Sequence, residues 1–246
     1  MIKHLSRINS NNSGIYVTKV FDKNGTAIEL KKSSSRPDSI NNLKKELVGA
    51  EWYSRISQNK LVTQVRELPL YYSLTFRYVD GYKANYRDGY IKNSIYIEKA
   101  ISLYCEIWSQ LSEDDLCVHG DFSIDNLIFA KKNPTIIDWE HFSKKSIPIG
   151  FDALNLIFEQ LFFSRADEKI NSKVINHIRI MLKKLKKYHC LGEEFLSCPL
   201  SKMRNIIIKN SEIWGNQITK LPVMKIKPED ISKLDRIICK ETTYQE

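Results

Sequence analysis

Apolar and polar positions alternate in short runs over the first eighty residues and then shift to a helical period. Residues 5–8, 15–21 and 27–31 read as strands, and the Asn24-Gly25 pair between the last two is a tight-hairpin signal because both residues tolerate positive φ. A polar stretch, "SSSRPD" at 33–38, separates these strands from Leu43, Leu47, Ala50, Trp52, Tyr53 and Ile56, whose spacing predicts one helix over about 40–57 with Asp38 or Ser39 as cap. β character returns at 70–79 and stops at Asp80-Gly81. Beyond it, Ile97, Ala100, Ile101, Tyr104, Ile107, Trp108 and Leu111 predict a helix over 95–111, and a basic amphipathic helix is expected over 174–189. The pattern is that of an α+β chain with a mainly β front, residues 1–80, and a mainly α back, residues 81–246.

One segment breaks both periods. "CVHGDFSIDNLIF", 117–129, begins and ends as strand and crowds His119, Gly120, Asp121, Ser123, Asp125 and Asn126 into the connection. The run "TIIDWEHF", 135–142, follows a turn at 131–134. A hairpin of the two strands returns Asp138 towards Asp121, so three oxygen-bearing side chains are expected to converge. Carboxylates and an amide oxygen are hard ligands suited to Mg²⁺, and a carboxylate that is not a ligand can orient a hydroxyl. That is the equipment of phosphoryl transfer, in which protein groups position substrates and neutralise phosphate charge.

Composition narrows the class. With 246 residues, 42% of them hydrophobic and 11% aromatic, the chain can bury a core of its own. The N-terminal residues lack the apolar run of a signal peptide, and the most apolar window, 151–163, is interrupted by Asp152, Asn155 and Glu159, so no membrane span is expected. Five cysteines without a CxxC pair or zinc-like spacing suggest thiols in a reducing cytoplasm. The net charge of +9 favours an anionic partner, which includes peripheral contact with an anionic membrane at its inner face, but charge alone selects no function.

The run His119-Gly120-Asp121 with Asn126, followed by Ile137-Asp138-Trp139-Glu140, resembles the HGDxxxxN and IDWE motifs of the aminoglycoside phosphotransferase and choline kinase superfamily, and "GFDALNL" at 150–156 looks like its Gly-x-x-Asp-Leu segment. The resemblance covers about 14–160; residues from 165 onward match no pattern. It implies a bilobal protein-kinase-like fold, with a small antiparallel β lobe carrying one helix and a larger mainly α lobe, and an ATP-dependent kinase using Mg²⁺. By it, Asp121 is the catalytic carboxylate, Asn126 and Asp138 hold metal, His119 braces the catalytic loop and Asp152 anchors it from below. Glu140 reads equally as part of the metal shell or as a solvated carboxylate. The phosphate-gripping lysine is Lys31 or Lys32, since strand neighbours face opposite ways; Lys31 is favoured because Ile28 and Leu30 would then pack away from the nucleotide. Its helix partner is Glu46 rather than Glu51, and the adenine-binding hinge "FRYVDG" makes Tyr78 and Val79 the expected contacts. "NSNNSG", 9–14, departs from the family's glycine-rich phosphate loop.

For the acceptor, Lys183, Lys184, Lys186, Lys187, Lys202, Arg204, Lys209 and Lys220 favour an anionic compound such as a lipopolysaccharide or capsule sugar over aminoglycosides or choline. Against this stands a solvated helix face opposite Val174, Ile178, Met181, Leu182 and Leu185. A pseudokinase scaffold is the rival of another class, opposed by the retained Asp121, Asn126 and Asp138. No nucleic-acid recognition motif is present.

Overall fold

The structure is a computed structural model. It describes residues 5–9, 14–112, 115–130, 133–144, 147–163, 172–215, 218 and 221–239, with backbone alone at 5–9 and 163. The glycine-poor loop expected to approach phosphate lies outside the described residues at 10–13, as does Lys220. The fold is α+β, and the chain divides into two units: Met1–Asp80 with Ile137–Phe142, and Gly81–Ile136 with Ser143–Glu246. The boundary drawn at residue 80 does not anticipate the return of Ile137–Phe142 to the first unit.

In the first unit, β1 (Leu5–Asn9), β2 (Tyr16–Phe21), β3 (Ala27–Ser34), β4 (Val62–Leu68) and β5 (Tyr71–Arg77) form an antiparallel sheet in the order β1-β2-β3-β5-β4. Asp22 makes the β2–β3 turn by accepting the Asn24 and Thr26 N–H groups at 2.8 and 2.9 Å, with Gly25 at φ +80°. Strand β4 carries no alternation because almost every position in it is exposed, and the hydrophobic pattern therefore does not announce it. The helix α1 (Pro37–Ser57) starts three residues before the expected position, with Pro37 in its first turn and no side-chain cap, so Asp38 and Ser39 lie inside it. Proline presets helical φ and lacks the N–H that a first turn leaves unpaired, so it begins the helix without help from a cap.

The first half of α1 sets Leu43 into a cluster with Ile15, Tyr72 and Leu74, edged by Ile40 and Leu47. Its second half receives the returning segment. Trp139, fully buried, lies 5.7 Å from Trp52 and 5.4 Å from Tyr53 between ring centroids, and Phe142 closes the group. Gly49 permits this approach: a Cβ there would stand 2.7 Å from Trp139 Cβ and 2.8 Å from Phe142 Cβ.

The second unit is mainly helical: α2 (Gly89–Trp108), α3 (Phe151–Phe163), α4 (Ser172–Lys187), α5 (Pro199–Lys209) and α6 (Pro228–Cys239), with a short hairpin of β6 (Leu127–Phe129) and β7 (Pro134–Ile136). The α2 helix starts well before the expected residue 95, after a 3₁₀ turn that Asn85 caps and a left-handed Gly89. The hairpin pairs Leu127 with Ile136. Buried polar groups tie the helices together. Asp235 of α6 accepts the Leu200 and Ser201 N–H groups at the start of α5, and the Arg179 guanidinium of α4 donates to the Ile237 and Ile238 carbonyls at the end of α6. All five cysteines are free, Cys105, Cys117 and Cys190 being buried. Among the described residues no helix is long and apolar enough to cross a membrane.

Gly49→Ala should destabilise the protein. Helix propensity would gain up to about 1 kcal/mol, but overpacking two Cβ atoms fixed to their backbones costs about 1–3 kcal/mol. Urea unfolding should show a net loss, and an unchanged or raised midpoint would contradict this account of the Trp139 contact.

Candidate functional site

In the first unit the carboxylates converge on a lysine. Lys32 of β3 places its ammonium 2.5 Å from Glu46 Oε1 of α1 and 2.8 Å from Asp138 Oδ1. Lys31, favoured above for this position, points the other way and sits over the Tyr71 ring. Strand parity favours Lys31 only if the apolar side of β3 avoids the site, and it does not. Lys32 shares its face with Leu30 and Ser34, and the cross-strand partners of Lys32, Leu30 and Ser34, which are Leu74, Phe76 and Tyr72, pack with Leu43 of α1. One sheet face thus carries both the apolar cluster and the lysine, since both must meet the same helix.

Glu46 is 2% exposed and Asp138 39%, which separates their roles. Burial pushes the Glu46 carboxyl up to about 7, Lys32 opposing it and the nearby Asp138 and Glu140 adding to it. For Lys32, burial works against the charge, but the two carboxylates together outweigh it and hold the ammonium above its ordinary range. Asp138 adopts a left-handed backbone, φ +65°, a conformation that costs a non-glycine residue about 1 kcal/mol or more. Trp139, wedged against Trp52 and Tyr53 of α1, fixes the backbone at that turn. Glu140 lies 3.6 Å from His141. At the end of the sheet, the Tyr78 N–H donates to the Ile28 carbonyl, and Val79 beside it is half-buried.

In the second unit a fully buried carboxylate supports the polar loop from beneath. Asp152, in the first turn of α3, accepts the His119 N–H at 2.7 Å and the Gly120 N–H at 3.1 Å. Gly120 is left-handed at φ +82°, and its carbonyl accepts the Trp214 indole N–H at 2.6 Å. The Asp121 N–H donates to His119 Nδ1 at 3.3 Å, which makes His119 the brace of the turn. Asn126 then donates from one amide nitrogen to the Asp121 carbonyl and to Asp121 Oδ2, both at 2.9 Å. These bonds set the direction of the Asp121 carboxylate and turn Asn126 Oδ1, its one acceptor atom, away from that contact.

Two contributors were not visible beforehand. Trp214 lies in the stretch that matched no pattern, and no local signal marks it. Glu159 was noted only as a charge interrupting an apolar window, yet it stands seven residues after Asp152, on the same face of α3. Its Oε2 is buried without a hydrogen-bond partner among the described residues. Burial, then Asp121 and Asp125, push its carboxyl well above the usual range. Burial also pushes Asp152 up to about 7, the two amides opposing and Asp121 adding. Among the described residues no group of three or more His, Cys, Asp or Glu could hold a metal ion, so a divalent cation here would need ligands beyond such side chains.

The three raised carboxyls set the sign of a pH dependence. Glu46, Asp152 and Glu159 each keep a proton in the folded chain that an unfolded carboxyl releases near pH 4. Between about pH 4 and pH 7 the folded state binds more protons, so stability falls as pH rises through that window. Asp152→Asn removes one of these ionisations and should make the decline shallower. Urea titrations across the window would show this, and parallel slopes for the two proteins would refute it.

No protein-family model matches the chain, and no curated protein does, so the functional reading rests on the residues just described.

Proposed function

We propose that the protein is an ATP-dependent phosphotransferase that moves the γ-phosphate to a hydroxyl of a small molecule or a glycan sugar. The observation that carries this reading is Lys32 held between a buried and an exposed carboxylate. A buried Glu46 keeps the ammonium in place, while the more exposed Asp138 can exchange its contact with Lys32 for a ligand. In the proposal Lys32 neutralises nucleotide phosphate charge, and Asn126 Oδ1 and Asp138 are the protein's oxygen ligands for Mg²⁺. A divalent cation held by them would supply charge neutralisation for the phosphates. Asp121, held in direction by Asn126, orients the acceptor hydroxyl and takes its proton. The Tyr78 N–H is engaged by Ile28, so a backbone donor to adenine in this segment falls to Val79.

The acceptor is open to two readings. The lysines that suggested an anionic surface-glycan sugar include Lys183, Lys186 and Lys187, which lie on the exposed side of α4 opposite its buried Val174, Ile178, Met181, Leu182 and Leu185. The charges acting on Glu159 are instead the carboxylates Asp121 and Asp125. That observation favours the second reading, an amine-bearing acceptor of the aminoglycoside or choline type.

Lys32→Met should abolish turnover of ATP with an acceptor panel, while Lys31→Met should leave it near that of the unaltered protein. Asp121→Asn should lower kcat by about 10²-fold or more with nucleotide affinity nearly intact. Calorimetry should show nucleotide binding that requires Mg²⁺ and that Asp138→Ala weakens. Retained turnover in Lys32→Met would reject the proposed site. Metal-independent nucleotide binding without any transfer would point to a pseudokinase.

A further inference from the structure

The peptide unit that joins Gly120 to Asp121 is held on both edges. Its N–H, which belongs to Asp121, donates to His119 Nδ1 at 3.3 Å, and its carbonyl, which belongs to Gly120, accepts the Trp214 indole N–H at 2.6 Å. In a planar trans peptide these two groups point in opposite directions, so the two bonds together oppose rotation of the unit about the line between its Cα atoms. That rotation would change φ of Asp121 and swing its carboxylate. Of the two restraints the indole bond is the shorter. The neighbouring units are fixed separately: Asp152 takes the His119 and Gly120 N–H groups, and the Asp121 carbonyl accepts from the Ser123 N–H and from Asn126, each at 2.9 Å. Loss of the indole bond would therefore leave the loop attached but let one peptide unit turn.

The fold fixes Trp214 in its turn. The residue ends a 3₁₀ turn, Ser211–Ile213, between α5 and α6, and is 3% exposed. Its indole nitrogen is a donor only, and burial obliges it to meet an acceptor. The Phe151 ring lies 5.6 Å from the indole between centroids. Phe151 and Asp152 are consecutive, so the first turn of α3 supports the loop twice, once through the carboxylate and once through the ring that seats the indole.

We infer that Trp214 is a positioning residue for Asp121, by which a segment 94 positions beyond the polar loop sets the direction of the carboxylate that orients the acceptor hydroxyl. The inference rests on the phosphotransferase reading and adds to it a residue that touches neither nucleotide nor acceptor.

The test compares Trp214→Phe, which keeps an aromatic ring and removes the N–H, with Ile207→Ala, a truncation of a fully buried side chain of α5. In amide hydrogen exchange of Trp214→Phe, the acceleration over 117–123 should exceed that over α2 by about tenfold, the factor for one hydrogen bond to a buried carbonyl. Ile207→Ala lowers global stability alone and should show no such excess. Phe151→Leu, which loosens the seat of the indole but keeps its N–H, should show the same excess in smaller measure. In transfer assays Trp214→Phe should lower kcat by about tenfold with KM for ATP within about twofold, because a displaced base costs turnover and not nucleotide binding. Ile207→Ala should keep kcat at temperatures where it is folded. Without excess exchange over 117–123 in either Trp214→Phe or Phe151→Leu the inference is overturned, whatever the activity. Excess exchange with kcat unchanged would also overturn it and leave the bond a structural one. Absence of transfer by the unaltered protein would reject the phosphotransferase reading itself, and the role of Trp214 with it.

Discussion

Glu46 has almost no access to water, and Lys32, 2.5 Å away, opposes the burial that pushes its carboxyl up to about 7. A buried carboxylate without its cation would discharge by taking up a proton, and a buried ammonium without its carboxylate would lose one. Each therefore makes the other's ionisation possible, and the rest of the first unit is arranged around that dependence. The sheet face that receives α1 must carry the lysine as well as the apolar cluster, the helix must present Glu46 one turn beyond Leu43, and Gly49 must let Trp139 close in so that Asp138 can join the pair.

The second unit solves a related problem with amides instead of a cation. Asp152 lies beneath the turn at His119 and Gly120 and takes both N–H groups, which would otherwise be buried donors without partners. From there the order passes outward through His119 to the Asp121 amide and through Asn126 to the Asp121 carboxylate. A half-buried loop carboxylate is thereby oriented by a buried one 31 positions away in the chain, through hydrogen bonds that each have few alternatives.

Both units use buried carboxyls as supports beside a less buried carboxylate. The supports are raised towards neutrality, so they add little fixed charge at low pH, while Asp138 remains 39% exposed. Such a division keeps the desolvation of the less buried carboxylates small and puts it on residues that hold geometry.

How much of this was legible follows from the range of each interaction. The hairpin at Asn24-Gly25, the strands around it, the amphipathic α4 and the α+β division are set by neighbours within a few residues, so period and turn chemistry suffice to read them. The polar run at 117–129 was visible because five polar side chains between two strands are locally anomalous. Strand β4 was not, since an edge strand exposed on both sides has no alternation to read. Lys32 in place of Lys31 was decided by which face α1 covers, and the part of Glu159 and Trp214 by contacts with residues 38 and 94 positions away in the chain. The sequence by itself determined which chemical groups this protein holds and which local elements carry them; only the tertiary structure decided which of two adjacent lysines meets a carboxylate, because strand parity says that they point apart but not which side a distant helix will cover.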